Sequence, residues 1–219
     1  MIPEKQRYEN LEKFTPDVVG RYDIPVIKAD KVYFSGFIGF NYAATAKDRA
    51  EKAVHFFLDD YQFFRVWNRP RDYINTLSQF ACVLSPDFSL YTDFPVAMQI
   101  YNHYRKHWLG AYWQSLGIKV IPTVCWSDEK SFDWCFDGEP VGGVVAVSSV
   151  GTQNSKAAKT AFLSGYEAMC ERLSPSEIIF YGSVPDECRG NIIHIKSFQD
   201  KFREARTNGW QRCFQWGER

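Results

Sequence analysis

No two of the six cysteines (Cys82, Cys125, Cys135, Cys170, Cys188 and Cys213) form a C-x-x-C pair. A zinc site built on sulfur needs ligands clustered at short spacing, so that chemistry is excluded for them. Several lie inside apolar runs, as in Phe80-Ala81-Cys82-Val83, and read as free, buried thiols of a reducing compartment. Net charge is absent too, with 26 basic residues against 26 acidic ones. A dedicated duplex binder draws its affinity from phosphate contacts and carries a basic excess. A large basic face is therefore excluded, leaving local clusters at Arg65, Arg69 and Arg71 or at Arg203 and Arg206. No apolar run approaches the ~18 residues of a membrane span, and the stretch from Met1 to Phe14 holds no apolar signal core. Those absences lead us to expect a cytoplasmic protein that does not enter a membrane. There is no internal repeat, no low-complexity tract, no G-x-S-x-G elbow and no suggested Cys–His pairing, which disfavours nucleophilic acyl transfer.

What the chain does have is apolar and aromatic bulk. Apolar residues make up 45% and aromatics 17% of 219 residues, enough for a substantial core. Apolar runs predict strands over 24–28, 32–38, 54–58, 81–84, 118–124, 144–148, 178–181 and 192–195. Most are continuous rather than alternating, which suits strands covered on both faces. Pro122 interrupts one of them and marks a bulge or an edge. Helices are expected over 43–53, 70–79, 95–116, 155–173 and 198–207, the last opened by a Ser197–Asp200 capping box. In the third, Val96, Ile100, Tyr104, Trp108 and Tyr112 step by four along an apolar face. Gln99, Asn102, His103, Lys106 and Gly110 form a stripe that reads as the solvent side. Strand–helix–strand repetition gives right-handed crossovers and an α/β fold with a mainly parallel sheet. That sheet is either a small or irregular (β/α) barrel or an open doubly wound sheet. The 29–31 link is too short for a crossover, so the first two strands are expected to pair as a hairpin. Residues 126–142 read as an irregular loop. The domain organisation expected is an N-terminal arm over 1–22 and a single α/β domain over 23–219.

In a parallel sheet ligands sit beyond the carboxyl ends of the strands. Two apolar runs stop there on carboxylates: His55-Phe56-Phe57-Leu58-Asp59-Asp60 and Cys82-Val83-Leu84-Ser85-Pro86-Asp87. Asp59, Asp60 and Asp87 are accordingly the candidate catalytic residues, as an acid/base pair or as ligands of a divalent cation such as Mg²⁺. Asp after a strand also caps helices or pairs with arginine, and Arg65 and Arg69 are at hand for that bland role. The candidate ligand-binding residues are Arg65, Trp67, Asn68, Arg69, Ser89, Trp126, Ser148, Ser149 and Thr152: the arginines for phosphate, the tryptophans for stacking a ring. The 148–154 run precedes a helix and offers N–H groups to an anion, but it lacks the lysine of a P-loop and the glycines of a dinucleotide loop. An ordinary cap by Asn154 or Ser155 is the plainer reading. His103 and His107 are four apart on one helix, a chelating spacing, but the sequence shows no third ligand and both lie on the stripe read as solvent-facing.

A resemblance joins several of these stretches. His55-Phe56-Phe57-Leu58-Asp59-Asp60, Val66-Trp67-Asn68-Arg69-Pro70, Leu84-Ser85-Pro86-Asp87-Phe88-Ser89-Leu90-Tyr91, Trp108-Leu109-Gly110-Ala111-Tyr112-Trp113-Gln114, Val120-Ile121-Pro122-Thr123-Val124 with Trp126, and Phe136-Asp137-Gly138 resemble the family known as domain of unknown function 4417. That family occurs in bacterial and phage or mobile-element genomes, and the resemblance implies such a context without an activity to carry over.

The function expected is therefore that of a phage- or mobile-element-associated α/β protein. It would act on or bind a nucleotide, a nucleic-acid end or a similar phosphorylated ligand through an acidic and aromatic pocket at the strand ends. Two rival readings are a non-catalytic module that sequesters a small molecule or host protein, and a carbohydrate-cleaving enzyme with a carboxylate pair. The oligomeric state has no sequence signal.

Overall fold

The computed structural model describes residues 10–197 and residue 200. β1 (Val18–Val19) and β2 (Ile24–Pro25) form a short antiparallel ribbon. β3 (Gly36–Gly39), β4 (Lys52–His55), β5 (Cys82–Leu84) and β6 (Val120–Ile121) then pair in that order, all parallel. A second parallel group holds β7 (Val144–Ser148), β8 (Glu177–Tyr181) and β9 (Ile192–Ile195). One parallel bridge, Thr123 to Ala146, joins the groups. β6 stops at Pro122, which has no N–H for a ladder; its carbonyl still accepts from Ala146 N at 2.8 Å.

The seven parallel strands curl. Phe37 of β3 lies 6.0 Å, ring to ring, from Tyr181 of β8, five strands further along. No ladder joins β3 to β9 among the described residues, so this is α/β with a curled parallel array and no closed barrel. Period two sorts the side chains. Ala53, Cys82, Leu84, Ile121, Ala146 and Ile179 meet inside the curl. Val54, Val83 and Val120 point outward against Trp108, Leu109 and Trp113. Val145, Val147, Ile178 and Phe180 do the same against Phe162, Tyr166 and Met169.

Two long helices supply those outer partners. α4 (Val96–Ser115) and α5 (Lys156–Leu173) follow three single-turn helices, α1 (Phe40–Ala43), α2 (Arg65–Asn68) and α3 (Ile74–Leu77). α5 begins as the sequence suggests, with Ser155 Oγ accepting from Ala158 N at 3.1 Å. It ends at Ser174, in the left-handed region at φ 43°. Ser197 and Asp200 exchange the reciprocal capping bonds expected of them, Asp200 N donating to Ser197 Oγ and Ser197 N to Asp200 Oδ2, both at 3.1 Å. The remainder of the helix expected over 198–207, with Arg203 and Arg206, lies outside the described residues.

Three expectations need correction. The first two strands do not form a hairpin: β2 pairs with β1, and β3 pairs in parallel with β4. The helix over 43–53 is absent. α1 ends at Ala43, Asp48 takes a left-handed conformation (φ 51°) that no helix continues through, and Lys52 already starts β4. The stripe on α4 read as its solvent side is buried as well. Gln99, Asn102, His103, Lys106 and His107 are inside, whereas Val96 is exposed.

Gly138 fastens the ribbon to α4. Its carbonyl accepts from Ile27 N at 2.9 Å, and its φ is +78°. A Cβ there would stand 2.4 Å from Pro25 O and 2.7 Å from His107 Nδ1. Left-handed strain alone costs about 1–2 kcal/mol, and the contact with a backbone oxygen adds to it. Gly138→Ala is therefore expected to lower the melting temperature by at least about 4 °C in a circular-dichroism melt, since ~1 kcal/mol moves a domain of this size by about 2–4 °C. An unchanged melt would mean that the ribbon is not fastened here.

Candidate functional site

Every parallel strand ends at one hollow of about 840 Å³. Gly39 of β3, His55 of β4 with Phe57 to Asp59 beyond it, Asp87 and Ser89 to Tyr91 after β5, Cys125 and Trp126 after β6, Ser148 of β7, Tyr181 of β8 and Ile195 to Ser197 at β9 all face it. That volume is within the usual range for a small-molecule site.

One wall is aromatic. Phe37 and His55 stack at 4.6 Å with their planes 10° apart. Tyr181 lies 4.9 Å from both His55 and Phe57, nearly parallel to the latter. Phe57 N donates to His55 Nδ1 at 3.3 Å, which leaves the ring proton on Nε2. Trp126 stands elsewhere on the rim, packed on Phe162 at 5.4 Å. It fits because residue 165 is glycine: a Cβ there would reach 2.1 Å from the indole Nε1.

Asp59 is exposed at the mouth and Asp87 half-buried within it. Asp60 does not line the hollow. Its carboxylate accepts from Ser89 N (3.2 Å) and Ser89 Oγ (2.8 Å), and Ser89 O accepts from Asn102 Nδ2 of α4 at 2.7 Å. Asp60 thus holds the loop that presents Asp87 and Ser89. Beneath, Ser85 and Thr123 clamp β5 to β6, Thr123 N donating to Ser85 Oγ and Thr123 Oγ1 to Ser85 O, both at 2.8 Å. Burial pushes the Asp87 carboxyl up to about 7; the Lys106 ammonium and a bond from the Cys125 thiol oppose the rise, and Asp60 adds to it. Burial likewise raises the Cys125 thiol, keeping it protonated.

Lys106 is fully buried. Its Nζ donates to Thr123 O at 2.7 Å and Glu139 Oε1 at 2.9 Å, with Cys125 Sγ 3.9 Å away. Burial opposes its charge, but the Glu139 carboxylate beside it holds its pKa above the ordinary value. Glu139 stays below the ordinary carboxylate value despite burial, because Lys106 and His107 face it. Sequence reading missed both residues, since neither sits at a strand end.

The other sequence candidates scatter. Trp67 is in the core, edge-on to Trp108 at 5.6 Å. Arg65 lies over the Phe40 and Tyr73 rings, outside the hollow, and Asn68 and Arg69 are exposed away from it. Ser148 lines the hollow; Ser149 is buried with Oγ donating to Ser183 O, and Thr152 Oγ1 donates to Ser149 O. Asp59, Asp60 and Asp87 form no ion pair with arginine among the described residues. The aromatic wall was also missed. Its signal was there at period two, in Phe37, in His55 and Phe57, and in Tyr181, each at a strand end. Five of the cysteines are described, all free thiols. Among the described residues, no helix is long and apolar enough to cross a membrane.

Residues 16–199 match the family described as Domain of unknown function (DUF4417). The chain belongs to this family. It is 46% identical over 132 residues to the Gene 1 protein of Mycobacterium phage L5, covering 60% of this chain and 58% of that protein. It is 40% identical over 161 residues to the Gene 1 protein of Mycobacterium phage D29, covering 72% of this chain and 60% of that protein. The chain thus spans about three fifths of the length of the curated phage relatives it matches. No solved structure matches. In this DUF4417 chain, the stretches that end β4 and follow β5 are the ones that carry Asp59 and Asp87 into the hollow.

The Asp87 titration has a testable sign. A carboxyl raised from 3.8 to about 7 on folding favours the native state most below about pH 4, and that contribution is lost as pH rises through about 7. Asp87→Asn mimics the neutral form. It is expected to raise the melting temperature at about pH 8.5 and by less than half as much near pH 5. An equal effect at both values would mean that Asp87 ionises normally.

Proposed function

We propose that the hollow binds a nucleotide or a similar phosphorylated, ring-bearing ligand. The observation that carries this reading is the stacked wall of Phe37, His55, Phe57 and Tyr181, lining the same hollow as Asp87 and Ser89 at the ends of a parallel array. A flat ring stacks on such a wall with about 1–3 kcal/mol per base, whichever base it is. Asp59 and Asp87 supply the polar edge. With Arg65 and Arg69 outside the hollow, the cation among its described lining residues is Lys196, beside Ser197. Should chemistry follow binding, Asp87 is the proton-transfer group, because a carboxyl titrating near neutrality can both give and take a proton.

A thermal-shift series on the full chain tests this, with nucleoside monophosphates, cyclic oligonucleotides and neutral sugars as ligands. A nucleotide at about 100 times its Kd stabilises by ~2.7 kcal/mol, or about 5–11 °C here. Phe57→Leu is expected to shrink that shift while Asn68→Ala, away from the hollow, leaves it intact. Stabilisation by sugars alone would replace this reading with the carbohydrate one, and no shift with any nucleotide would remove it.

A further inference from the structure

His103, His107 and Glu139 bring one nitrogen or oxygen each to within 4.8 Å of one another, below the buried face of α4 and outside the hollow. All three side chains are shut off from water: His103 is 1% exposed, and the side chains of His107 and Glu139 are 0% exposed. Each imidazole donates its other N–H to a backbone carbonyl, His103 Nε2 to Asp137 O at 3.0 Å and His107 Nδ1 to Pro25 O at 2.9 Å. Carbonyls only accept, so those nitrogens carry the protons. The lone pair of His103 Nδ1 is left for the cluster, and that of His107 Nε2 joins it when its proton gives way to an ion. Outer hydrogen bonds of this kind fix the tautomer and orientation of metal-binding histidines.

His107 Nε2 lies 3.0 Å from Glu139 Oε1 and donates to it when protonated; an ion would take that proton's place. His103 Nδ1 and Glu139 Oε2 are buried with no hydrogen-bond partner at all. Buried polar atoms are rarely left so, and an unseen ion is one of the few reasons for it. Lys106 occupies only Oε1 of Glu139, which leaves Oε2 open.

From this geometry we infer that His103, His107 and Glu139 form a buried structural site for a divalent transition metal of the zinc class. Two imidazole nitrogens and a carboxylate oxygen are a donor set such an ion accepts, at about 2.0–2.2 Å from each. Binding it would draw the three donors closer together. The helix supplies His103 and His107 one turn apart, and the Asp137-Gly138-Glu139 turn supplies the third ligand and one of the two orienting carbonyls. With no route from solvent, the ion enters as the chain folds and holds the 136–139 loop on α4.

The test is refolding of the full chain from denaturant with zinc, with cobalt(II) or with a chelator. About one metal per chain is expected by elemental analysis, with ligand-field bands in the cobalt form and a lower melting temperature in the chelator form. His103→Gln is expected to hold under about a tenth of a metal per chain, whereas His194→Gln, on exposed β9, keeps the full amount. Metal that persists in His103→Gln, or disappears in His194→Gln, would overturn the assignment. So would wild-type protein that refolds without metal to the same melting temperature. That last measurement decides even if His103→Gln fails to fold, and none of these readouts depends on whether the hollow binds a nucleotide.

Discussion

The polar interior depends on one ammonium group that never touches water. Lys106 leaves the middle of α4 and reaches Thr123 O beyond β6 and Glu139 in the 136–139 loop, with the Cys125 thiol of the hollow close by. An ion moved into a protein interior loses several kcal/mol of hydration, which pairing and further hydrogen bonds must offset. Removing one partner of such a pair costs about 3–5 kcal/mol, because the other charge is left stranded. Lys106 and Glu139 therefore constrain everything between them. α4 has to turn its polar stripe inward, the loop has to close on the helix, and the ends of β5 and β6 have to lie where Thr123 and Cys125 can be reached.

The curl of the sheet then decides where a ligand space opens. Along β4 the inward positions run Ala53, His55 and, past the strand, Phe57; along β8 they run Ile179 and Tyr181. Lower layers are small or aliphatic and fill the interior. The upper layer is aromatic and too broad to close over, so the rings stack into a wall and the space above them stays open. The hollow begins at the level where the inward side chains change from packing filler to stacking surface. Asp60 and Ser85 take no place in it, yet they hold the loops that do, through Ser89 and Thr123.

How much of this the residues announce differs by element. β7 and β8 are apolar runs covered on both faces, and α5 carries its own cap at Ser155; each is local, and each is legible from local pattern. The strand-end rule likewise points to Asp59, Asp87, Ser89, Trp126 and Ser148, all at the hollow or, for Ser89, fixed at its edge by Asp60. The failures are non-local. The inward stripe of α4 looks like a solvent face until Glu139, more than thirty positions away, supplies the charge that makes burial tolerable. Trp67 looks like a loop aromatic until Trp108 closes on it edge-on. The 43–53 segment has helical composition, but Asp48 takes a left-handed turn because β4 must begin at Lys52 to pair with Gly36.

Charge balance around Lys106 also explains how an acidic hollow can suit an anionic ligand. The interior holds one ammonium, and Glu139 already neutralises it at 2.9 Å. A second ionised carboxylate nearby would have no cation of its own, and burial adds to that penalty. Asp87 is accordingly held in its protonated form until about pH 7, beside a Cys125 thiol that is protonated as well. In the proposed reading a phosphate entering the hollow near neutral pH meets a carboxyl that is about half protonated and can then donate a hydrogen bond, where an ordinary aspartate would repel it. The exposed Asp59 at the mouth then remains the one lining carboxylate a phosphorylated ligand has to avoid, while the stacked rings offer its base an aromatic surface.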